Sequence, residues 1–75
     1  MSYELHAVII DKNDYSLDEA QKIAKDIIKD KNKTFYRETS ESYRFRNIPK
    51  TKFNKDSYRS KIIKKGVTLI FGKLK

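Results

Sequence analysis

The hydrophobic period of this chain is helical once and strand-like everywhere else, and that restricts its fold more than any other feature. Leu17, Ala20, Ile23, Ala24, Ile27 and Ile28 recur at the three- and four-residue spacing of one helix face, while Asp18, Lys22, Lys25, Asp26 and Lys29 take the other. A lone amphipathic helix has one apolar stripe to bury, so the pattern predicts a helix laid on one face of a sheet. Ser16 followed by Glu19 has the spacing of a capping box, in which each side chain satisfies a backbone N–H at the helix start. The opposite-charge pair Asp18 with Lys22 and the like-charge pair Lys25 with Lys29 lie on the solvated face, where the first stabilises and the second destabilises by about 0.2–0.5 kcal/mol at most.

Strand signals surround the helix. Residues 3–10 begin with alternation and end in the apolar run Ala7-Val8-Ile9-Ile10, the pattern of a central strand covered on both faces. This strand places His6 on the same side as Glu4 and Val8. A polar loop at residues 11–14 leads to the helix. After Lys31-Asn32-Lys33 the period changes to two, and residues 34–39 and 42–48 read as strands joined at Ser40-Glu41. A two-residue loop there sets Glu38 opposite Tyr43 and Tyr36 opposite Phe45. Tyr36, Tyr43 and Phe45 then share one face, and Arg37, Arg44 and Arg46 share the other with Phe35. A one-residue slip would mix the two sets.

Pro49 ends that strand, and residues 50–56 form a basic loop containing Phe53. Residues 58–64 and 67–74 form a second hairpin around Lys65-Gly66, where glycine accepts a positive φ. No repeat, low-complexity tract or linker divides the chain, so residues 1–75 read as one α+β domain. Its order is β-α-β-β-β-β, a single helix packed on a mostly antiparallel sheet.

Composition then removes whole classes of function. A 75-residue chain buries only about 60% of its unfolded surface, too little for an elaborate catalytic cleft. With no cysteine and one histidine, neither a disulfide framework nor a zinc tetrahedron is available. His6 has no recognisable nucleophile beside it and reads as a structural histidine rather than a general base. Asp11 with Asp14, and Glu38 with Glu41, match no metal loop and read as caps and turns. There is no Walker-type loop, dinucleotide fingerprint or HExxH, and two glycines cannot build a phosphate cradle. The expectation is therefore no enzyme, no cofactor and no metal. The longest apolar run is four residues and Met-Ser-Tyr-Glu has no signal-peptide character, which predicts a soluble, intracellular or virion-associated protein without a membrane partner.

What remains is charge, and it is segregated. Residues 1–41 carry nine acids and seven bases, a net of −2, whereas residues 42–75 carry eleven bases and one acid, a net of +10. Fourteen of the eighteen bases are lysine, as the codon bias of an AT-rich genome produces, and such bias explains the total more easily than the segregation. Phosphate contact needs cations and base contact needs flat π-faces, and Tyr43-Arg44-Phe45-Arg46 interleaves the two. The candidate contacts to DNA or RNA are Arg44, Arg46, Lys50, Lys52, Arg59, Lys61, Lys64 and Lys65, with Tyr43 and Tyr58 as aromatic partners. Phe45 and Phe71 read instead as core beneath the helix. The glycines of an RRM signature and the GxxG of a KH domain are missing.

A competing reading is a protein-interaction module in a capsid or a virus–host complex, forming oligomers or taking a viral or host protein partner through the hydrophobic terminal strand, residues 67–74, if that strand lies at a sheet edge.

A resemblance bears on both readings. Glu38-Thr39 with Ser42-Tyr43-Arg44-Phe45-Arg46, a proline, a basic loop with Phe53, Ser57-Tyr58-Arg59-Ser60-Lys61-Ile62 and the ending Gly66-Val67-Thr68-Leu69-Ile70-Phe71-Gly72-Lys73-Leu74-Lys75 together resemble small proteins of phages and large DNA viruses. Similar segments look to occur as an accessory N-terminal domain on proteins assigned as phage head-maturation serine proteases. The resemblance implies a virus-associated module. It brings no protease nucleophile with it and implies no proteolytic activity.

Overall fold

Residues Glu4–Asp11 form β1, the middle strand of a five-stranded antiparallel sheet, in a computed structural model that describes residues 3–28 and 35–75. Helix α1 (Leu17–Ile27), strands β2 (Phe35–Glu38) and β3 (Ser42–Arg46), a 3₁₀ turn (Lys50–Lys52), and strands β4 (Arg59–Lys64) and β5 (Val67–Gly72) follow in chain order. The spatial order is β2-β3-β1-β5-β4, so each hairpin attaches to one side of β1. The α+β class and strand succession read from the sequence hold, with the 3₁₀ turn inserted after β3. The change of period after Lys31-Asn32-Lys33, the strand start at residue 34, the Lys25–Lys29 relation and the side chain of Phe35 lie outside the described residues.

Helix α1 begins as its sequence dictates. The Ser16 hydroxyl accepts from the Glu19 amide at 3.3 Å, and the Glu19 carboxylate accepts from the Ser16 amide at 3.1 Å. Hydrogen bonding of its carboxylate to the Ser16 amide and hydroxyl holds Glu19 below the usual carboxylate range. Ala20 and Ala24 are buried in the helix, and their small side chains let its backbone approach the sheet closely. Beneath them lie Val8, Ile10, Phe45, Val67 and Leu69, joined at the rim by Leu5, Tyr15, Ile23, Ile27, Tyr43 and Phe71. Full burial of Val8, Ile10 and Val67 stabilises the fold by about 1.5–3 kcal/mol each. Leu17, first in the helical stripe, is exposed at the helix entry instead of joining this core.

The β2–β3 register matches expectation: Glu38 stands opposite Tyr43 and Tyr36 opposite Phe45. Thr39 and Ser42 close the loop, with the Ser42 amide donating to the Thr39 hydroxyl at 3.0 Å. In the second hairpin Gly66 takes φ +84°, and its Asp11-facing carbonyl accepts from the Asp11 amide at 2.8 Å.

Two features depart from the sequence reading. A β-bulge between Leu5 and Ala7 interrupts the alternation of β1. Leu5 therefore pairs with Phe71 beside the helix-side core, and His6 leaves the Val8 face on which simple alternation placed it. The His6 carbonyl accepts from the amides of Asn47 (2.8 Å) and Ile48 (3.3 Å), its ring Nδ1–H donates to the Ile48 carbonyl (2.6 Å), and the Asn47 side chain donates to the Leu5 carbonyl (3.0 Å). The chain leaving β3 is thereby tied to the bulge.

The second departure is Phe53, which a basic loop conceals in the sequence and which is 1% exposed in the fold. Its ring packs against His6 (centroids 5.2 Å apart) and Tyr58 (5.8 Å), and it bridges to Leu74. Gly72 makes room for it, since a Cβ there would stand 2.7 Å from the Phe53 ring. The Asn54 amide donates to the Lys73 carbonyl (2.8 Å) and the Lys75 amide to that of Lys52 (3.0 Å), so residues 52–54 are laced to the chain end. This loop covers the Gly72 end of the sheet face that α1 leaves bare.

Candidate nucleic-acid interface

The two faces of the sheet follow from the register. On the helix side stand Tyr36, Tyr43, Phe45, Val8, Ile10, Val67, Leu69 and Phe71. On the other side the cross-strand partners form two rows. One runs Arg37, Arg44, Ile9, Thr68 and Ile62 from β2 to β4; the next runs Arg46, Ala7, Ile70 and Ser60 from β3 to β4. Three of the four arginines in the chain thus share one face on two adjacent strands, and α1 does not cover it.

This face is shallowly concave. A depression of about 330 Å³ is lined by His6, Ala7, Tyr36, Arg37, Arg44, Arg46 and Lys50. A second joins Arg44 and Lys50 to Ile9, Ile70 and Tyr58, and a third joins Arg44 to Ile62, Thr68, Asp11 and Glu41. Arg44 borders all three. The charge therefore grades from cationic at Arg37, Arg46 and Lys50, through aliphatic at β1 and β5, to acidic at the Asp11–Glu41 end.

Among the described residues the only salt bridge joins Lys12 to Glu38 at 2.6 Å, and Tyr36 donates to the same carboxylate at 2.5 Å. These bonds draw Glu38 below the usual carboxylate range. Loss of solvation and the bond to Glu38 push the Tyr36 phenol up to about 12. On the bare face, burial holds the His6 imidazole below its ordinary value; the nearby Arg46 and Lys50 act the same way, against the raising effect of the Ile48 bond.

Of the ten residues read from the sequence as contacts, the fold brings Arg44, Arg46, Lys50 and Tyr58 together. Tyr58 donates to the Lys50 carbonyl at 3.4 Å and packs its ring on His6. Lys52 is exposed on the 3₁₀ turn, outside these depressions. Arg59, Lys61 and Lys64 pair with Phe71, Leu69 and Val67, which puts them on the helix side. There Arg59 lies 5.4 Å from the Tyr3 ring, which Lys73 also approaches at 5.3 Å, and Lys64 lies 5.8 Å from the Tyr15 ring. Lys65 sits in the hairpin turn, its carbonyl accepting from the Tyr15 hydroxyl. Tyr43 also faces the helix side, with the Lys12 ammonium 5.3 Å from its ring.

Arg37 is the residue the contact set omitted. The hairpin register places it beside Arg44, although in sequence it belongs to the near-neutral residues 1–41. The terminal strand is corrected as well: β5 lies between β1 and β4, so the free edges belong to β2 and β4.

Among the described residues no cluster of three His, Cys, Asp or Glu side chains is arranged to hold a metal ion, and no helix is long and apolar enough to cross a membrane. In comparisons with known proteins, no family model, no curated protein and no solved structure matches the chain.

Proposed function

We propose that this protein is a small, non-enzymatic nucleic-acid-binding module of viral origin that seats a phosphate backbone on the bare face of its sheet. The observation that carries the reading is the gathering of Arg37, Arg44 and Arg46 on that face, opposite the helix. Codon bias toward lysine scatters charge over every surface, whereas arginine here is concentrated on adjacent strands, and its planar fork suits phosphate oxygens. Lys50 extends the cationic rim. The viral assignment rests on the sequence resemblance.

Titration of labelled DNA and RNA oligonucleotides by fluorescence anisotropy at about 50 mM salt tests it. Four cations engaging four phosphates give a log–log salt slope of about −3 on single strands and about −4 on duplexes. Absence of binding to every DNA and RNA probe at low salt overturns the proposal.

A second reading rests on β4. Ile62 is 71% exposed and Ile63 44% exposed on that unpaired edge, the arrangement of a strand that accepts another strand. It predicts oligomers by light scattering, or a protein partner that survives nuclease treatment. A monodisperse monomer with no such partner overturns it.

A further inference from the structure

The arginines of the bare face stand on one half and its aliphatic residues on the other, with the acids Asp11 and Glu41 at one end. Strands β2 and β3 contribute Arg37, Arg44 and Arg46, while β1, β5 and β4 contribute Ile9, Ala7, Thr68, Ile70, Ser60 and Ile62, none of them charged. Resting on the nucleic-acid reading above, we infer that the ligand is a single strand: its phosphates follow β2 and β3, and its bases lie over the aliphatic half toward Tyr58 and Ile62.

Three observations select a single strand over a duplex. Residues two apart on a strand are separated by about 6.8 Å, so Arg44 and Arg46 form one line of cations suited to successive phosphates of one backbone. A B-form duplex carries a second backbone across a groove about 6 or 12 Å wide. That distance, laid across strands about 4.8 Å apart, puts the second backbone above Ile9, Ile70 and Ile62, where the face has no cation to meet it. The acidic end at Asp11 and Glu41 repels it further. Finally, stacked base pairs hide their faces, so a duplex gains nothing from an apolar surface, whereas unpaired bases bury theirs on it. Ile62, the most exposed large hydrophobic side chain among the described residues, gains a partner in this arrangement.

The experiment uses the full chain with a labelled 20-nucleotide mixed-sequence DNA strand, the RNA of the same sequence and the corresponding DNA duplex, each titrated at low salt. A single strand bound about tenfold or more tightly than the duplex is expected. Ile62→Ser and Ile70→Ser should each weaken single-strand binding about three- to tenfold while leaving duplex binding and the salt slope unchanged, with circular dichroism verifying the fold. A duplex bound as tightly as the single strand overturns this inference and leaves the broader binding proposal standing. Isoleucine variants that retain the full single-strand preference also overturn it. Failure of all three probes to bind overturns both.

Discussion

Arg37 and Arg44 stand directly opposite one another as cross-strand partners of β2 and β3, on the side of the sheet the helix leaves bare. Like charges in that position oppose strand pairing, and no carboxylate of the described residues forms a salt bridge with either. The pair is a local cost that an anion bridging both would relieve.

The first prediction follows from that cost. Arg44→Thr should raise stability by about 0.2–1 kcal/mol in urea unfolding, more at low salt than at high salt, while lowering affinity for oligonucleotides. A variant that is less stable at low salt contradicts the repulsion.

The capping box supplies the second. Ser16→Ala should cost about 1 kcal/mol by removing the acceptor for the Glu19 amide. Because Glu19 is held below its ordinary value in the fold, its contribution is present above the unfolded carboxylate pKa and is lost as pH falls through the lowered folded value. Glu38 behaves in the same sense through Lys12 and Tyr36. Urea midpoints measured from pH 7 to pH 3 should fall with acid, and Ser16→Ala should flatten the part due to Glu19.

The third concerns the aromatic plug. Phe53→Ala removes a fully buried ring and should cost about 3–5 kcal/mol. Gly72→Ala drives a methyl to 2.7 Å from the same ring and should cost about 1–3 kcal/mol. Chemical denaturation measures both, and a neutral Gly72→Ala would show that the plug shifts freely.

His6 gives the fourth. Its burial and its neighbours Arg46 and Lys50 disfavour the imidazolium, so its NMR titration midpoint should lie below 6.5. The stability it contributes is complete above the unfolded value and is lost as pH falls through the lowered folded value. The Nδ1–H tautomer should be visible in nitrogen shifts, since the Ile48 carbonyl can only accept.

What the sequence reveals here is local. The Ser16–Glu19 box, the Glu38–Tyr43 register and the positive φ of Gly66 each depend on residues within one element or turn. The face occupied by Arg59 depends on how the second hairpin docks on β1, a long-range register that no pattern within residues 58–74 encodes. The bulge at His6 is equally non-local, because the Asn47 and Ile48 amides hold it from the far side of the helix in sequence. Phe53 was hidden by its neighbours: Lys50, Lys52 and Lys55 make the segment read as solvated loop, yet the packing of one ring against Gly72 decides its place. The binding face mixes both kinds. Arg44 and Arg46 were legible from alternation, whereas the aliphatic half arises only when β1, β5 and β4 are set side by side.

The central position of β1 also has a kinetic meaning. The β2–β3 and β4–β5 hairpins close locally but never touch each other within the sheet; eight residues from the start of the chain are the seam between them. Neither hairpin gains its shared core until that seam is laid, which makes folding all-or-none although its parts are local. Amide protons along β1, bonded on both flanks, should exchange with solvent only when the whole molecule opens, and those on the outer edges of β2 and β4 well before.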